Sequence, residues 1–378
     1  MSLNLEMEKH GYSRSPDHLL IGLVLLLTGI GLVTLYSSSY AFAGRFFGNS
    51  LHFISRQIVL AAFGMALFFF LARINLEFMR GLIKPLVIGT VILCLLTFVP
   101  GIGVMKNGAT RWIRLGSSTY QPSELVKLAL PFYLAHIFDK KSDRFDSFTA
   151  GVLPPTMVTI LFFALIYFQN NFSTAFFILL NALMIFFMAG IRLRYFFGAA
   201  FIFLPLSVFF VLTAEHRLRR FISFLRPEWE PLGAGYQVRA SLLTVSSGGF
   251  WGKGIGQGTR KIASVPEIHS DFIFASFAEE TGFIGIFVIF IVFGLFAFAA
   301  YRSAFKCPDT FKQLLGFGLA TMILSQILLN IAVVVGTLPT TGIPLPFFSA
   351  GGSSLATTLA MCGLLVNCSR EAEHVKQL

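Results

Sequence analysis

Charged residues are scarce in this chain of 378 residues, where they make up 12% of the sequence. A soluble globular domain is about one quarter charged. Apolar residues make up 55%, which is more apolar surface than a soluble fold of this size can bury but is the surface that a bilayer covers. The scarcity of charge therefore excludes most soluble classes and indicates an integral membrane protein.

Cysteines are few, and their spacing does not form a disulfide framework. Cys94, Cys362 and Cys368 lie in or at the edge of apolar runs, and Cys307 lies in a short basic loop. We interpret all of them as packing residues or free thiols.

The chain also lacks a repeat at a fixed period and an alternating apolar and polar pattern that would compete with helices. Instead, apolar stretches long enough to cross a bilayer, about 17–25 residues each, recur along it. They predict an all-α integral membrane protein of about ten transmembrane helices, near 19–39, 53–72, 82–100, 122–138, 150–168, 173–190, 195–213, 271–300, 313–336 and 353–369. The first run precedes Ala41-Phe42-Ala43, which resembles a signal-peptidase site, but it is longer than a signal-peptide core and we interpret it as a retained span.

The distribution of Lys and Arg predicts the orientation. With the N-terminus inside, every cytoplasmic segment is basic, whereas the outer connections near 169–172 and 337–352 contain no Lys or Arg. We therefore expect a cytoplasmic tail at 1–18, one polytopic membrane domain at 19–369 with a large outer loop at 214–270 between spans 7 and 8, and a cytoplasmic tail at 370–378. This excess of inside charge accounts for the net charge of +11, so no nucleic-acid partner is predicted.

Two outer segments, 101–121 and 214–270, carry basic residues on the side where the charge rule disfavours them. Such groups indicate an anionic ligand such as a phosphate, or simply a soluble loop, and charge alone does not choose between the two.

Ionisable residues inside spans indicate functional positions because burying them in a bilayer is costly. Glu124 and Lys127 are three residues apart, so on a helix they share one face and can form an ion pair that satisfies itself. Asp271 begins the eighth span, where it is either a helix N-cap or a reactive carboxylate. Glu279 and Glu280 lie deeper in the same span and are interpreted as interhelical hydrogen-bonding groups.

Two loops have unusual composition. The segment 246–258 alternates glycines around Lys253, a pattern that forms either a backbone N–H nest for phosphate or a flexible turn. It does not match a nucleotide-binding fingerprint. The last outer loop, 338–354, is rigid and apolar, and such backbone is tolerated at membrane depth only when it packs in protein or lines a cavity.

These motifs, taken in order, resemble the SEDS family (shape, elongation, division and sporulation) of bacterial cell-wall proteins, which includes FtsW and RodA. The matching residues are Gly108-Ala109-Thr110-Arg111-Trp112-Ile113, Gln121-Pro122-Ser123-Glu124 with Lys127, Gly235-Tyr236-Gln237, Gly248-Gly249 with Gly252-Lys253-Gly254, Pro266-Glu267 with Asp271-Phe272-Ile273-Phe274-Ala275, Glu279-Glu280, and Pro344-Leu345-Pro346 with Gly351-Gly352-Ser353-Ser354.

The chain departs from the family pattern in two places. It has Gln169-Asn170-Asn171 where an aspartate is frequent, and Ala350 where tyrosine is common. The regions around Lys261 and Pro339-Thr340-Thr341-Gly342 look more like the division branch, FtsW, than the elongation branch.

The resemblance implies a peptidoglycan glycosyltransferase that polymerises lipid II at the outer face of the bacterial cytoplasmic membrane, during cell division or elongation. It implies that Asp271 is the essential carboxylate and candidate general base. The substrate-binding residues that it implies are Arg111, Glu124, Lys127, Lys253, Lys261, Ser349, Gly351 and Gly352. Arg111 and Lys127 rank first as groups that stabilise the leaving pyrophosphate.

No metal site and no definite cofactor are predicted, and a divalent cation, Mg²⁺ or Mn²⁺, is the one cofactor left open. The resemblance implies a class B penicillin-binding transpeptidase as partner, with other division or elongation machinery. Two alternative functions remain: a lipid II flippase, for which intramembrane Glu124 and Lys127 would suit a carrier, and a non-catalytic division scaffold.

Overall fold

The computed structural model describes residues 17–106, 108–116, 118–142, 145, 147–226, 233–259, 268–307 and 309–370. Most of these residues are helical. The helices are α1 (His18–Phe47), α2 (His52–Leu71), α3 (Leu76–Gly81), α4 (Ile83–Leu96), α5 (Pro122–Lys140), α6 (Leu153–Phe168), α7 (Phe172–Met188), α8 (Leu193–Leu212), α9 (Glu215–Leu225), α10 (Ala234–Ser247), α11 (Ile273–Phe305), α12 (Thr310–Val334) and α13 (Gly352–Arg370).

A helix occupies every predicted span, so the predicted helical membrane fold is confirmed. Within the described residues, seven helical segments are long and apolar enough to cross a membrane, among them α1, α8 and α11. The apolar helices α4 and α7 are shorter, and the predicted span at 122–138 coincides with α5. The number of crossings and the cytoplasmic position of both termini stay predictions, and most of each tail lies outside the described residues.

The outer segment 101–121 contains a small sheet that the sequence analysis did not predict. Strands β1 (Gly103–Lys106), β2 (Ala109–Leu115) and β3 (Ser118–Tyr120) pair antiparallel in the order β1-β2-β3. Side chains alternate between the faces of a strand, and Ala109 and Ile113 on β2 are buried. Arg111 lies between them at the irregularity of the β1–β2 pairing, where Thr110 pairs with Met105 and Trp112 with Val104, and its side chain is partly buried.

The long loop 214–270 is partly helical, because α9 and α10 fall within it. Helix α9 is amphipathic, with Arg217 and Arg220 among its basic residues. Arg217 donates to the Tyr167 hydroxyl at 2.9 Å and to the Phe210 carbonyl at 3.0 Å, so α9 is attached to α6 and α8. Arg217 is therefore held in a defined position.

The core is built around α12 and α13, which are the most buried of the long apolar helices described. Helix α13 packs closely along α2, and small residues permit the approach. A Cβ atom at Gly363 would lie 2.5 Å from the Phe68 carbonyl oxygen, and one at Gly64 would lie 2.7 Å from Leu359. By contrast, α8 is exposed along its apolar length, as expected for a lipid-facing helix.

Candidate active site

Asp271 lies in the turn before α11 and not inside the helix. The N-cap position of α11 is Phe272, so the alternative interpretation of Asp271 as a helix N-cap is wrong. The Asp271 carbonyl accepts a hydrogen bond from Asn330 Nδ2 at 2.8 Å, and the same amide nitrogen donates to the Ile343 carbonyl at 2.8 Å. A single amide on α12 therefore fixes both Asp271 and the last outer loop.

The carboxylate of Asp271 faces Gly342 of that loop. A Cβ atom at Gly342 would lie 3.5 Å from Asp271 Oδ2, and Gly342 has a φ of +70°, which favours glycine. The loop backbone thus approaches the carboxylate closely, as predicted for an irregular segment packed in protein.

The residues preceding Asp271 are held by the same loop. Ser349 Oγ donates to the Ser270 carbonyl at 2.6 Å, and the Ala350 N–H donates to the His269 carbonyl at 2.9 Å. Ser349 Oγ also accepts from the Leu345 N–H at 2.8 Å, and Ser349 is buried. Ser349, predicted to bind substrate, therefore has a structural role in this arrangement, and its contact with substrate stays a prediction.

The paired glycines Gly351 and Gly352 begin α13. A Cβ atom at Gly352 would lie 2.1 Å from Leu60 Cδ1, whereas one at Gly351 would make only ordinary contact with Ser354. Gly352 thus packs closely against the Leu60 side chain of α2, and substrate binding by either glycine stays a prediction.

Arg111 on β2 and Arg220 on α9 come from distant parts of the chain and both act electrostatically on Asp271. Arg111 Nη2 donates to the Asn170 carbonyl, and Asn170 Nδ2 donates to the Gly108 carbonyl at 2.9 Å. Arg220 Nη1 lies 3.4 Å from the Thr340 carbonyl, two residues from Gly342. Gln169-Asn170-Asn171, one of the two places where the chain departs from the family pattern, is thus the segment that holds Arg111.

Burial and mutual repulsion act on these two arginines. Burial and the charge of Arg220 lower the pKa of Arg111 to about 10, although Asp271 opposes the shift. Burial also lowers the pKa of Arg220, again opposed by Asp271. Both groups remain cationic at neutral pH and Arg111 is partly buried, so an additional anion would be bound favourably between them.

Three residues near Asp271 in the fold have a buried polar atom without a hydrogen-bond partner. Among the described residues these atoms include Arg111 Nε, Thr340 Oγ1 and Asn330 Oδ1. Buried polar atoms are nearly always paired, and unpaired ones near a carboxylate and two cations are typical of a site that binds a polar ligand.

Sequence analysis did not assign a role in the site to Arg220, Asn330 or Gly342. Arg220 was one of many basic residues in the long loop, and no local pattern distinguishes it from Arg219. Only the fold of α9 brings Arg220 to the last outer loop.

The predicted ion pair between Glu124 and Lys127 forms in α5. Lys127 Nζ lies 2.8 Å from Glu124 Oε1 and 2.9 Å from Gln326 Oε1, and both charged side chains are at most 4% exposed. Gln326 Nε2 in turn donates to the Pro344 carbonyl at 2.8 Å. The pair connects α5 and α12 to the last outer loop, and its predicted contact with substrate would require a rearrangement.

Lys253 is paired with a buried carboxylate. Its Nζ lies 2.9 Å from Glu279 Oε1, and Ser247 Oγ and the Thr259 N–H donate to the same oxygen at 3.3 and 3.1 Å. Glu280 Oε1 accepts from Ser37 Oγ at 2.5 Å. Glu279 and Glu280 are therefore the hydrogen-bonding groups that the sequence predicted, whereas substrate binding by Lys253 stays a prediction.

The glycine-rich segment is a packed structure and neither a flexible turn nor an open nest. The backbone N–H groups of Lys253 and Gly254 each donate at 3.0 Å to the carbonyls of Glu279 and Glu280 in α11. Helix α11 is interrupted there at Gly282, which has a φ of +63°. A Cβ atom at Gly282 would lie 2.2 Å from the Gly252 nitrogen, so the segment fits into the interruption only because both residues lack side chains.

Within the described part of the chain, no group of three or more His, Cys, Asp or Glu could hold a metal ion. The charged groups that interact with Asp271 there include the two arginines, Arg111 and Arg220. We therefore derive no step through a divalent cation. Lys261 lies outside the described residues, as does Glu267.

The model of the FtsW, RodA and SpoVE family, described as cell cycle proteins, matches residues 17–374. The chain is 38% identical over 353 residues to a protein of Geobacter sp. (strain M18) named "Probable peptidoglycan glycosyltransferase FtsW", covering 93% of this chain and 96% of that protein. It is 37% identical over 360 residues to stage V sporulation protein E of Bacillus subtilis (strain 168), covering 95% of this chain and 98% of that protein.

Solved structures agree with these relatives. A peptidoglycan synthase complex that coordinates polymerization and crosslinking contains a chain that matches with a TM-score of 0.77 and 28% identity, over 94% of this chain and 98% of that chain. The rod shape determining protein RodA of Thermus thermophilus matches with a TM-score of 0.69 and 27% identity, over 94% of this chain and 98% of that chain.

Proposed function

The chain belongs to the SEDS family of FtsW, RodA and SpoVE cell cycle proteins, and from that premise we propose that it polymerises lipid II at the outer face of the bacterial cytoplasmic membrane. It is a multi-pass membrane protein and a peptidoglycan glycosyltransferase of the FtsW type. The observation that carries the reaction mechanism is the close grouping of Asp271, Arg111 and Arg220 beside the last outer loop.

Asp271 acts as the general base. The 4-hydroxyl of the acceptor sugar transfers its proton to the carboxylate as its oxygen bonds to the anomeric carbon of the lipid-linked donor. The bond from that carbon to the pyrophosphate breaks, and the pyrophosphate leaves with the electron pair. Attack opposite the leaving group converts the α-linked donor into a β-linked product.

Arg111 and Arg220 stabilise the charge that develops on the pyrophosphate. Pyrophosphate is already a good leaving group, so the site needs fixed positive charge more than a second carboxylic acid. As Asp271 becomes protonated it stops balancing the two guanidinium charges, and the leaving group replaces it as their anionic partner. The partial burial of Arg111 supports this role because a desolvated cation interacts more strongly with an anion.

Glu124 and Lys127 act through the loop that faces Asp271. Their buried contacts with Gln326, and the bond from Gln326 to the Pro344 carbonyl, support a positioning role. A divalent cation, Mg²⁺ or Mn²⁺, stays a secondary proposal, and it would supply further positive charge for the leaving pyrophosphate. A class B penicillin-binding transpeptidase is the proposed partner, supported by the likeness to a chain of a peptidoglycan synthase complex.

The flippase alternative is less well supported. The buried charges of Glu124 and Lys127 are already paired with each other and with Gln326. By contrast, Asn330, which binds the Asp271 carbonyl, has a buried Oδ1 without a hydrogen-bond partner. A carrier would require its polar site near the bilayer midplane.

The test uses the purified protein with its cognate transpeptidase, reconstituted in vesicles with lipid II on the outer leaflet. A transferase makes glycan strands there. If no glycan strands form but lipid II moves between the leaflets, the flippase is supported. If neither strand formation nor lipid II movement is detected, the scaffold is supported.

A further inference from the structure

An exposed group of aromatic rings lies beside the segment that carries Asp271. Its members come from the outer end of α1, the start of α2 and the residue two positions before Asp271, and we call it the aromatic platform. They are Phe42, Phe46, Phe47, His52, Phe53 and His269.

The rings form a continuous surface. The Phe47 and His52 rings are stacked, with centroids 4.3 Å apart and planes 3° from parallel. Phe53 lies with its ring centroid 5.6 Å from Phe47 and 4.5 Å from His269. A flat pair of rings at the surface is thus joined, ring by ring, to the segment that carries Asp271.

The platform lies at the predicted outer end of α1. Helix α1 continues to Phe47, eight residues past the predicted end of the first span at residue 39. At about 1.5 Å per residue, Phe47 lies roughly 15 Å further along α1 than Ser37, which contacts Glu280 inside the membrane domain. Phe46 and Phe47 are 67% and 52% exposed.

The chemistry of this surface suits a sugar polymer. Aromatic faces carry a negative quadrupole, and the C–H faces of sugars make favourable contacts with such faces. Two of the rings are imidazoles and Arg45 and Asn49 are exposed beside them, so the surface combines ring faces with polar groups.

We propose that the aromatic platform binds the glycan strand during polymerisation, through stacking of sugar units on the exposed rings of Phe47 and His52. The proposal rests on the proposed function. A polymerase must retain its strand between additions, and a surface connected to Asp271 through His269 can do so without contacting the reacting atoms. The platform therefore governs strand length and not the rate of the first bond.

The test compares wild type with Phe47→Leu and Phe47→Tyr in the complex with the transpeptidase partner. Leucine keeps apolar bulk but removes the ring, and tyrosine keeps the ring. Phe70→Leu is the matched control, because Phe70 is 60% exposed at the opposite end of α2. Both initial rate and strand-length distribution are measured, after thermal unfolding has verified equal folding.

We expect Phe47→Leu to shorten the strands about five-fold, the effect of losing one aromatic contact, at an initial rate equal to that of wild type. Phe47→Tyr and Phe70→Leu should give strands of wild-type length. The proposed binding of the strand by the platform would be overturned if Phe47→Leu made strands of wild-type length, or if Phe70→Leu shortened the strands equally. Absence of strands from wild type would instead refute the proposed function, and the platform with it.

Discussion

At the residue scale, the proposed site depends on two arginines that reach Asp271 from separate outer segments. Arg111 is held by the turn after α6, and Arg220 by contact with the last outer loop. Their basic charge on the outer side is unfavourable for topology but is explained if both stabilise a leaving pyrophosphate.

The role of Arg220 can be tested against its neighbour on α9. Arg220→Gln removes the charge but keeps a polar side chain, and we expect the rate of polymerisation to fall by about 100-fold or more, the typical effect of losing a group that stabilises developing charge. Arg219→Gln is the control, because the Arg219 side chain is 61% exposed and pairs with Glu215. Equal rates for the two variants would contradict the assignment.

At this scale, the sequence predicted the roles of residues that belong to a local motif. It did not predict the role of a residue that only the fold brings to the site. The sequence predicted the pairing of Glu124 with Lys127, and it placed Glu279 and Glu280 as hydrogen-bonding groups. It did not distinguish Arg220 from Arg219, because proximity to Asp271 depends on how α9 folds back over α6 and α8. It also could not reveal that the N–H groups of Lys253 and Gly254 are used within the protein.

At the scale of elements, the buried ion pair of α5 connects the helices to the last outer loop. Lys127→Met leaves the Glu124 carboxylate buried without its cation, and we expect a loss of about 3–5 kcal/mol in unfolding free energy. The double variant Glu124→Gln with Lys127→Met removes both charges and should recover most of the loss. Thermal unfolding in detergent measures both, and equal destabilisation by the single and double variants would argue against a pair that is mainly structural.

The interruption of α11 at Gly282 is a second element-scale feature. Gly282→Ala places a Cβ atom against the Gly252 nitrogen at a φ of +63°, and we expect a loss of at least about 2 kcal/mol from strain and overlap. Gly294→Ala lies in the same helix with nothing within 4 Å and should be neutral or slightly stabilising. If the two variants have the same unfolding temperature, the glycine-rich segment does not pack against α11 at Gly282.

Apolar stretches predicted the helices well because a bilayer imposes a length and a composition on each crossing. The sheet at 103–120 escaped prediction because its strands are short and its alternation is interrupted by a bulge between Val104 and Met105. Helices α9 and α10 were not predicted, because the sequence analysis considered only the charge of the loop 214–270 and not its secondary structure.

At the scale of the whole molecule, Asp17 joins the ends of three helices on the predicted cytoplasmic side. Its carboxylate binds Arg302 Nη2 at 2.5 Å and Ser303 Oγ at 3.1 Å, both on α11. Its N–H donates to Ser369 Oγ of α13 at 3.3 Å. Asp17 also caps α1, since its Oδ1 accepts from the Leu20 N–H at 3.2 Å.

This contact predicts a pH dependence of stability. Burial alone raises the pKa of Asp17, but hydrogen bonds from Arg302, the Leu20 N–H and Ser303, together with the Arg302 charge, outweigh it and lower the pKa. The contribution is therefore present above the ordinary aspartate range and is lost as the pH falls through the lowered pKa. We expect Asp17→Asn to reduce the unfolding temperature at pH 7 and the difference from wild type to shrink below about pH 4. A difference independent of pH would contradict this account.

The central claim is that the carboxylate of Asp271 removes the acceptor proton in a glycosyl transfer. Asp271→Asn keeps the size and polarity of the side chain but cannot accept the proton, so single-turnover bond formation from lipid II tests the claim most directly. With unfolding temperature, partner binding and lipid II binding equal to wild type, we predict a rate at least about 100-fold lower. Bond formation by Asp271→Asn at the wild-type rate would contradict the claim.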